Sequence, residues 1–449
     1  MNYIKVKSTW LAESGIRLDA SYHLSDGPLT KLKLKKSPYT VSLLSKETKQ
    51  VFKGNIFKRV YVSNDENGYQ FMTASDMMKS DIKGGKYISK KYTNTANLIL
   101  DKDWILVSRS GTLGNTVYTN EDFVGIVGTD DLIRVIPNNK NVLSGYLYSY
   151  LTSKYGYGLL TQSGYGAVVK HIEPHHILNL PIPIFPKDKQ QEIHNLIIEA
   201  SELRVNANKL LREAQNIIAN EVGFIKKGIN QNVSISTLDK SHLKRFEASY
   251  YISEGMEIRK YIKTLDHRVL KDLCKPIFRP GIFKRHYVEN GIEFLGGSDI
   301  VRSIPRSDKK LSLAKTKHLE DLKIHEDWIL VTCGGTIGYS VLVDEYMDGK
   351  TASQHILRVI ADKIPNGYLF AFMSSELGLK AIQSFTYGSV IPQIEPHHLE
   401  LLPVPILEKD IMIGIHKMIM KYKENTSIAI NNELHAIDLI EKEIESWQE

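Results

Sequence analysis

His171, His175 and His176 are the residues in this chain whose type and spacing most invite a metal. No cysteine or acidic ligand is supplied beside them by spacing, and the corresponding stretch further on reads Gln393, His397 and His398. Both trios straddle a Glu-Pro dipeptide, so they read as structural histidines at a turn, capping the helix that follows, in preference to zinc ligands. Catalysis leaves no other mark. There is no Gly-x-Gly-x-x-Gly before a helix, no Walker phosphate loop and no His-Glu-x-x-His. Also missing is an Asn-Pro-Pro-Tyr or Asp-Pro-Pro-Tyr of the kind amino-methyltransferases use to hold a target base. Asp103 and Asp327 precede strand-like runs and read as turn residues. The expectation is a chain without catalytic residues, metal or cofactor of its own.

Binding chemistry becomes legible once the chain is compared with itself, because it is written twice. Arg17-Leu-Asp-Ala-Ser-Tyr22 returns as Arg245-Phe-Glu-Ala-Ser-Tyr250, and Ile56-Phe-Lys-Arg59 as Ile282-Phe-Lys-Arg285. Asp103-Trp-Ile-Leu-Val107 returns as Asp327-Trp-Ile-Leu-Val331, and Gly111-Thr-Leu-Gly114 as Gly335-Thr-Ile-Gly338. Ile172-Glu-Pro-His-His176 matches Ile394-Glu-Pro-His-His398, and Leu180-Pro-Ile-Pro183 matches Leu402-Pro-Val-Pro405. Six matches in one order, at an offset drifting from 228 to 222, mean a duplicated unit of about half the chain.

Within that shared frame, particular loop positions differ. Ser108-Arg109-Ser110 stands opposite Thr332-Cys333-Gly334, and Thr129-Asp130-Asp131 opposite Ser353-Gln354-His355. Lys170-His171 stands opposite Pro392-Gln393, and Thr73-Ala74-Ser75-Asp76 opposite Gly296-Gly297-Ser298-Asp299. Side chains of these types read base edges, so one scaffold with two loop sets suits two different hydrogen-bonding targets. Thr112, Thr336, Tyr165 and Tyr387 join them as DNA-contact candidates. Lys58-Arg59 and Lys284-Arg285 occur in both copies and suit phosphate, which carries no sequence information. Lys83, Lys86, Lys90 and Lys91, and in the other copy Arg302, Arg306, Lys309, Lys310, Lys315 and Lys317, extend a basic track. The Gly-Thr-x-Gly turns offer backbone N–H groups to a phosphate.

The elements that position these residues follow from pattern. Trp104-Ile-Leu-Val107 and Leu132-Ile-Arg-Val-Ile136 read as buried strands. Tyr146, Leu147, Tyr150 and Leu151 share a helical face that Tyr368, Leu369, Phe372 and Met373 repeat. Each half is therefore a mixed α/β globule, ending at the proline-rich strand Leu180–Pro186 or its counterpart. A long helix follows each. In the first, Ile193, Leu196, Ala200, Leu203, Ala207, Leu210, Ala214 and Ile217 alternate three and four apart, the heptad mark of helix pairing. In the second, Ile415, Met418, Tyr422, Ala429, Ala436 and Leu439 take equivalent places, with Asn425 and Asn432 in the seam. The predicted domains are 1–186, 187–228, 229–407 and 408–449. The order globule, helix, globule, helix requires the helices to run antiparallel, giving an α+β pseudo-two-fold dumbbell.

Composition agrees. Fifty-eight Lys and Arg against 51 Asp and Glu leave +7, which removes the electrostatic objection to a nucleic-acid partner. Two cysteines are too few for a disulfide framework and fit a reducing cytoplasm. No apolar run reaches the ~18–20 residues of a membrane span, and the opening Met-Asn-Tyr-Ile-Lys-Val-Lys lacks a signal peptide's apolar stretch.

The strand Asp103–Val107 running into Gly111–Gly114, the Tyr165-Gly166 stretch, and the Leu180–Pro186 exit into Gln190, Gln191 and Ile193 together resemble the specificity subunits of type I restriction–modification systems. The second copy follows with Trp328, Gly335, Tyr387, Gly388 and Leu402–Ile406, though its helix lacks the Gln pair. The resemblance covers nearly the whole chain. It implies two target-recognition domains, each reading one half of a split double-stranded DNA target, held apart by two conserved helices. It further implies that those helices dock two DNA methyltransferase subunits, which carry S-adenosylmethionine, with translocating nuclease subunits joining for restriction. A helix of ~35–40 residues spans roughly 55–60 Å against a DNA turn of ~34–36 Å, so half-sites more than one turn apart are expected. Three rivals stay open: a two-reader subunit of a combined nuclease–methyltransferase of type IIB kind, a DNA-modifying enzyme in its own right, and a helical adaptor that binds proteins alone.

Overall fold

The computed structural model describes residues 6, 8, 23, 25–63, 65–111, 113–162, 171–225, 248–388 and 390–447. The repeated segments 17–22 and 245–247, and with them Thr112, Tyr165, Gly166 and Lys170, lie outside the described residues. The chain divides into two compact units, residues 1–205 with 428–449, and residues 206–427. The division falls inside both long helices, so each unit holds one globule and part of each helix.

In the first unit, α1 (Asp26–Leu34), β1 (Val41–Leu43), α2 (Leu44–Glu47) and β2 (Thr48–Lys53) come first. Strands β3 (Tyr61–Val62), β4 (Gly68–Met72), β5 (Lys86–Ser89), β6 (Ile105–Ser108), β7 (Thr116–Tyr118), β8 (Val127–Gly128) and β9 (Leu132–Pro137) follow. Helices α3 (Ser144–Thr152), α4 (Lys154–Gln162) and α5 (Pro174–Leu178) precede β10 (Pro181–Pro183). One sheet has the order β2-β9-β6-β7 and a second β3-β5-β4-β8, while β10 pairs antiparallel with β1. Pro181 and Pro183 are tolerated there because a two-stranded ribbon leaves N–H positions that need no partner.

The predicted strands are β6 and β9, and their alternation explains why both are buried on two faces. Ile105, Val107, Ile133 and Val135 enter the main core with Tyr146, Leu147, Tyr150 and Leu151 of α3. Leu106 and Leu132 point the other way, into a second cluster with Met72, Met77 and Phe123. Each such apolar side chain contributes roughly 1.5–3 kcal/mol by leaving water.

Helix α6 (Lys187–Val222) leaves the first globule, and the second unit repeats the plan. It contains α7 (Ala248–Ile252), α8 (Glu254–Ile262), β11 (His267–Val269), β12 (Tyr287–Leu295), β13 (Lys310–Leu311), β14 (Ile329–Thr332), β15 (Ser340–Leu342), β16 (Thr351–Ala352) and β17 (Ile356–Val359). Then come α9 (Asn366–Ser374), α10 (Glu376–Gln383), α11 (Pro396–Leu399), β18 (Pro403–Pro405) and α12 (Lys409–Ser446). Strand orders are β15-β14-β17 and β13-β12-β16, with β11 paired to β18. Here Ile329, Val331, Leu357 and Val359 feed the main core, and Leu330 and Ile356 the second cluster. In place of β2, the described residues make isolated bridges, Phe278 to Arg358 and Cys274 to Ala361.

Both helices are tied to the globule before them in the same way. Gly145 N–H donates to His194 Nδ1 at 3.1 Å, and Gly367 N–H to His416 Nδ1 at 3.0 Å. Gln190, fully buried, donates to the carbonyls of Phe185 and Asn141 and accepts from Leu143 N–H, so its carboxamide fixes the start of α6. Gly223, at φ +64°, closes α6 in the left-handed conformation that glycine takes without strain.

Within the first unit the two helices face each other antiparallel. Lys189 meets Glu443 at 2.6 Å, and fifteen positions further along α6 Arg204 meets Glu433 at 2.7 Å, earlier in α12. Ile193 and Ile197 share a core with Ala436, Ile440 and Ile444. In the second unit, Leu211, Ala214 and Ile218 share one with Ile415 and Ile419.

The seam differs from its prediction in one respect. Ile193, Ala200, Ala207 and Ala214, and on α12 Ile415, Ala429 and Ala436, are buried as a seam requires. Leu196, Leu203, Leu210 and Ile217, with Met418, Tyr422 and Leu439, are only half-buried, while Ile197, Leu211, Ile218, Ile419 and Ile440 one position later are buried. Each helix packs on a globule as well as on its partner helix, so its buried stripe is wider than a two-helix seam and is turned toward the globule. Asn425 is buried, and so is Glu433, which accepts from Arg204 and from the Tyr148 hydroxyl.

Candidate nucleic-acid interface

The differing loops of the first globule meet at the ends of β4, β6 and β8. Thr129 N–H donates to Met72 O at 2.9 Å, which sets the 129–131 loop against the end of β4. Arg109 N–H donates to Asp131 O at 3.1 Å, and Ile172 N–H to Arg109 O at 3.2 Å, which adds the segment containing His171. Side chains then cross-link the group. Arg109 reaches Glu173 at 2.6 Å and Asp131 at 3.4 Å, Lys53 reaches Glu173 at 3.0 Å, and Ser110 donates to Asp131. Arg59 closes it, donating from Nη2 to Asp130 Oδ1 and Thr129 Oγ1, each at 3.1 Å.

The second globule assembles the same positions with other chemistry. Arg285 Nη2 donates to Gln354 Oε1 at 3.1 Å, as Arg59 does to Asp130. Arg279 stands where the first copy has Lys53 and reaches Glu395 at 2.7 Å, while Cys333 occupies the place of Arg109. Cys333 N–H donates to His355 O at 2.9 Å, and Ile394 N–H to Cys333 O at 3.1 Å. Gln393 bridges both Gly334 and Tyr387, and the Tyr387 hydroxyl donates to Glu395 at 2.8 Å. The first group thus carries Lys53, Arg59 and Arg109 against Asp130, Asp131 and Glu173. The second carries Arg279 and Arg285 against Glu395 alone, beside neutral Gln354.

Local charge follows. Burial by itself would raise the Glu173 carboxyl, but hydrogen bonds from Arg109 and Lys53 outweigh it and hold the group below the ordinary range. His355 is pushed down by burial and by Arg279 and Arg285. Glu173 and Glu395 have a second role. Each forms a capping box with the histidine three residues on, Glu173 N–H donating to His176 Nδ1 at 3.0 Å and Glu395 N–H to His398 Nδ1 at 3.1 Å. The histidines therefore act at a turn. Among the described residues no group of three His, Cys, Asp or Glu side chains is placed to hold a metal ion.

Several expected contacts turn out to be internal. Thr332 is 1% exposed and its Oγ1 accepts from Tyr339 N–H at 3.0 Å, so it holds the turn after β14 and has no face for a base. Thr129 and Ser353 are buried too, and their hydroxyls accept from loop N–H groups of Asp131 and His355. Asp76 and Asp299 fold back on their own turns, accepting from Thr73 N–H at 3.1 Å and Gly296 N–H at 2.9 Å. Ser75 and Ser298 remain exposed beside them. In the Gly-Thr-x-Gly turns, Gly111, Gly114, Gly335 and Gly338 all have positive φ. Their N–H groups are less open than expected: Gly114 donates to Ser108 O, Gly338 to Thr332 O and Gly335 to Pro392 O. Thr336 is exposed, as are Lys58 and Lys284, which have no ion-pair partner among the described residues.

Two pairs were missed as site residues. Lys53 and Arg279 each follow a phenylalanine three residues before the shared Ile-Phe-Lys-Arg, a Phe-basic pair that an identity match beginning at Ile56 stops short of. Arg134 and Arg358 were visible only as part of a shared Arg-Val-Ile. Both are fully buried, without a carboxylate partner among the described residues. Arg134 donates to the carbonyls of Thr129, Leu132, Leu98 and Gly128, and Arg358 to those of Ser353, Ile356, Leu322 and Ala352. Each guanidinium therefore pins the first residue of its differing tripeptide to the sheet. Burial brings both down to about 10, so they stay charged at neutral pH.

A family model described as type I restriction modification DNA specificity domain matches residues 45–198 and again residues 262–443. The chain belongs to that family, and it carries the domain twice. Among solved structures it is similar to a type I restriction–modification S subunit from M. genitalium, at 12% identity over 91% of this chain and 98% of that one, with a TM-score of 0.36. It is also similar to the HsdS subunit from Thermoanaerobacter tengcongensis, at 12% identity over 91% and 97%, with a TM-score of 0.29. No curated protein matches. No helix among the described residues is long and apolar enough to cross a membrane.

Proposed function

We propose that this chain is the non-catalytic address of a type I restriction–modification assembly, reading one half of a bipartite, asymmetric double-stranded DNA target with each copy. The supporting observation is that two equivalent arginines, Arg59 and Arg285, each hold a different second residue of the same loop, Asp130 or Gln354. An acceptor-only carboxylate and a carboxamide that both donates and accepts call for different base edges. Helices α6 and α12 carry the docking of two methyltransferase subunits, to which S-adenosylmethionine belongs, with nuclease subunits joining for restriction. The assembly works in the cytoplasm, where its buried free cysteines Cys274 and Cys333, pushed up to about 12 and 11 by burial, stay unreactive.

Gel shifts with a randomised duplex pool, with and without co-expressed methyltransferase, test this reading. Enrichment of a two-part sequence supports it. Methyl transfer or nicking by the isolated chain would return the reading to a DNA-modifying enzyme.

A further inference from the structure

Ile56 and Ile282 are 88% and 94% exposed, and they occupy the same place in the two copies. Each opens the tetrapeptide Ile-Phe-Lys-Arg, which lies in irregular backbone before β3 or β12. The other three members of the tetrapeptide have evident roles. Phe57 packs edge-on against Phe71 at 6.0 Å between ring centres, and Phe283 against Phe294 at 5.9 Å. Arg59 and Arg285 lie over those same two rings, each at 5.4 Å, and reach the loop residues Asp130 and Gln354. Lys58 and Lys284 face solvent. The arm is thus held at its second and fourth residues, and its first projects an unpartnered β-branched side chain into water.

A single exposed apolar residue is ordinary. Two at equivalent positions, kept while the loops around them diverged, and each two residues from an exposed lysine, point to an anionic partner with an apolar face. Duplex DNA has both. Three residues span at most about 10–11 Å, so each isoleucine lies within about three base pairs, at ~3.4 Å each, of the arginine that holds the loop.

We propose that Ile56 and Ile282 press against the bases of duplex DNA, one in each half-site, while Lys58 and Lys284 hold the flanking phosphates. This rests on the DNA-reading function proposed above. An isoleucine has no donor or acceptor, so the contact is apolar: a thymine methyl in the major groove, or a wedge against a base step.

The test uses the full chain, alone and with co-expressed methyltransferase, on a duplex selected from a randomised pool. I56A and I282A change exposed side chains, so the fold is kept, and circular dichroism verifies it. Each is expected to weaken binding to the selected duplex roughly tenfold, from the loss of three carbons that are about half-buried against the bases. Their salt dependence stays that of the unaltered protein, because no phosphate contact is lost. Replacing thymine by uracil in the selected duplex distinguishes a methyl contact, and 2-aminopurine fluorescence distinguishes a wedge; a response from either that disappears in the alanine variants supports the inference. Unchanged affinity in I56A and I282A, with R59A and R285A weakened, overturns the inference and leaves the DNA-reading function standing. Unchanged affinity in all four removes the whole arm from DNA and overturns the inference, whereas the DNA-reading function falls if the unaltered chain, with and without methyltransferase, enriches no duplex from the pool.

Discussion

Arg59 donates from Nη2 to Oδ1 of Asp130 at 3.1 Å, joining the residue best suited to phosphate to one suited to a base edge. Its counterpart Arg285 makes the same reach to uncharged Gln354. The two arginines are therefore not equivalent toward DNA: Asp130 offsets the charge of one, and nothing at position 354 offsets the other.

Arg285→Ala is expected to weaken binding to all duplexes and to lower the salt slope by about 0.9, the value for one phosphate. Arg59→Ala should show a smaller change, and Asp130→Asn should steepen the slope by freeing Arg59. Fluorescence anisotropy against salt concentration measures all three. Altered base preference at full affinity would instead place the arginines among the specific contacts.

Loop chemistry should map to half-sites separately. Asp130→Asn and Gln354→Glu are each expected to relax or change preference at one or two positions of one half-site, at a cost of roughly 1–3 kcal/mol per affected base pair, with the other half unaltered. Selection from a randomised pool reads this directly.

Arg134 and Arg358 are expected to be stability residues. Replacing either by Met leaves four carbonyls without their charged donor, at a cost of about 3–5 kcal/mol, measurable by urea unfolding. A loss below 1 kcal/mol would mean that the carbonyls find other partners.

Helix packing offers a sharper contrast. Ile440→Ala on α12 should cost about 2–5 kcal/mol, as a buried large-to-small change does. Leu203→Ala, at a half-buried position beside the seam, should cost clearly less. Thermal unfolding compares the two, and equal losses would restore the straight heptad seam.

Acid should loosen the first globule through Glu173. Its folded carboxyl lies below the ordinary value, so its contribution is full above the unfolded pKa near 4.3 and is lost as pH falls through the lower folded value. Unfolding midpoints should therefore decline below about pH 4, and Glu173→Gln should be less stable at neutral pH with a shallower acid decline.

Much of this architecture was legible because duplication prints every structural requirement twice. Asp103 and Asp327 recur because each takes a positive φ, +61° and +66°, at the turn before its buried strand. Glu173 and Glu395 recur because each caps a helix. What repetition cannot show is which side chains turn inward. Thr332 and Ser353 have the polarity of a base reader, yet their burial comes from strand ends that meet only in three dimensions. The seam position of Leu203 was misplaced for a related reason: a heptad count sees the partner helix but not the globule alongside.

The proposed arrangement is two different readers on one duplicated frame. Its most direct measurement is selection by the full chain, with co-expressed methyltransferase, from a duplex pool with a long randomised core. Two enriched blocks of unlike sequence separated by indifferent bases are expected, with Gln354→Glu altering one block only. A single continuous block, or a change in both blocks from that one substitution, would contradict it.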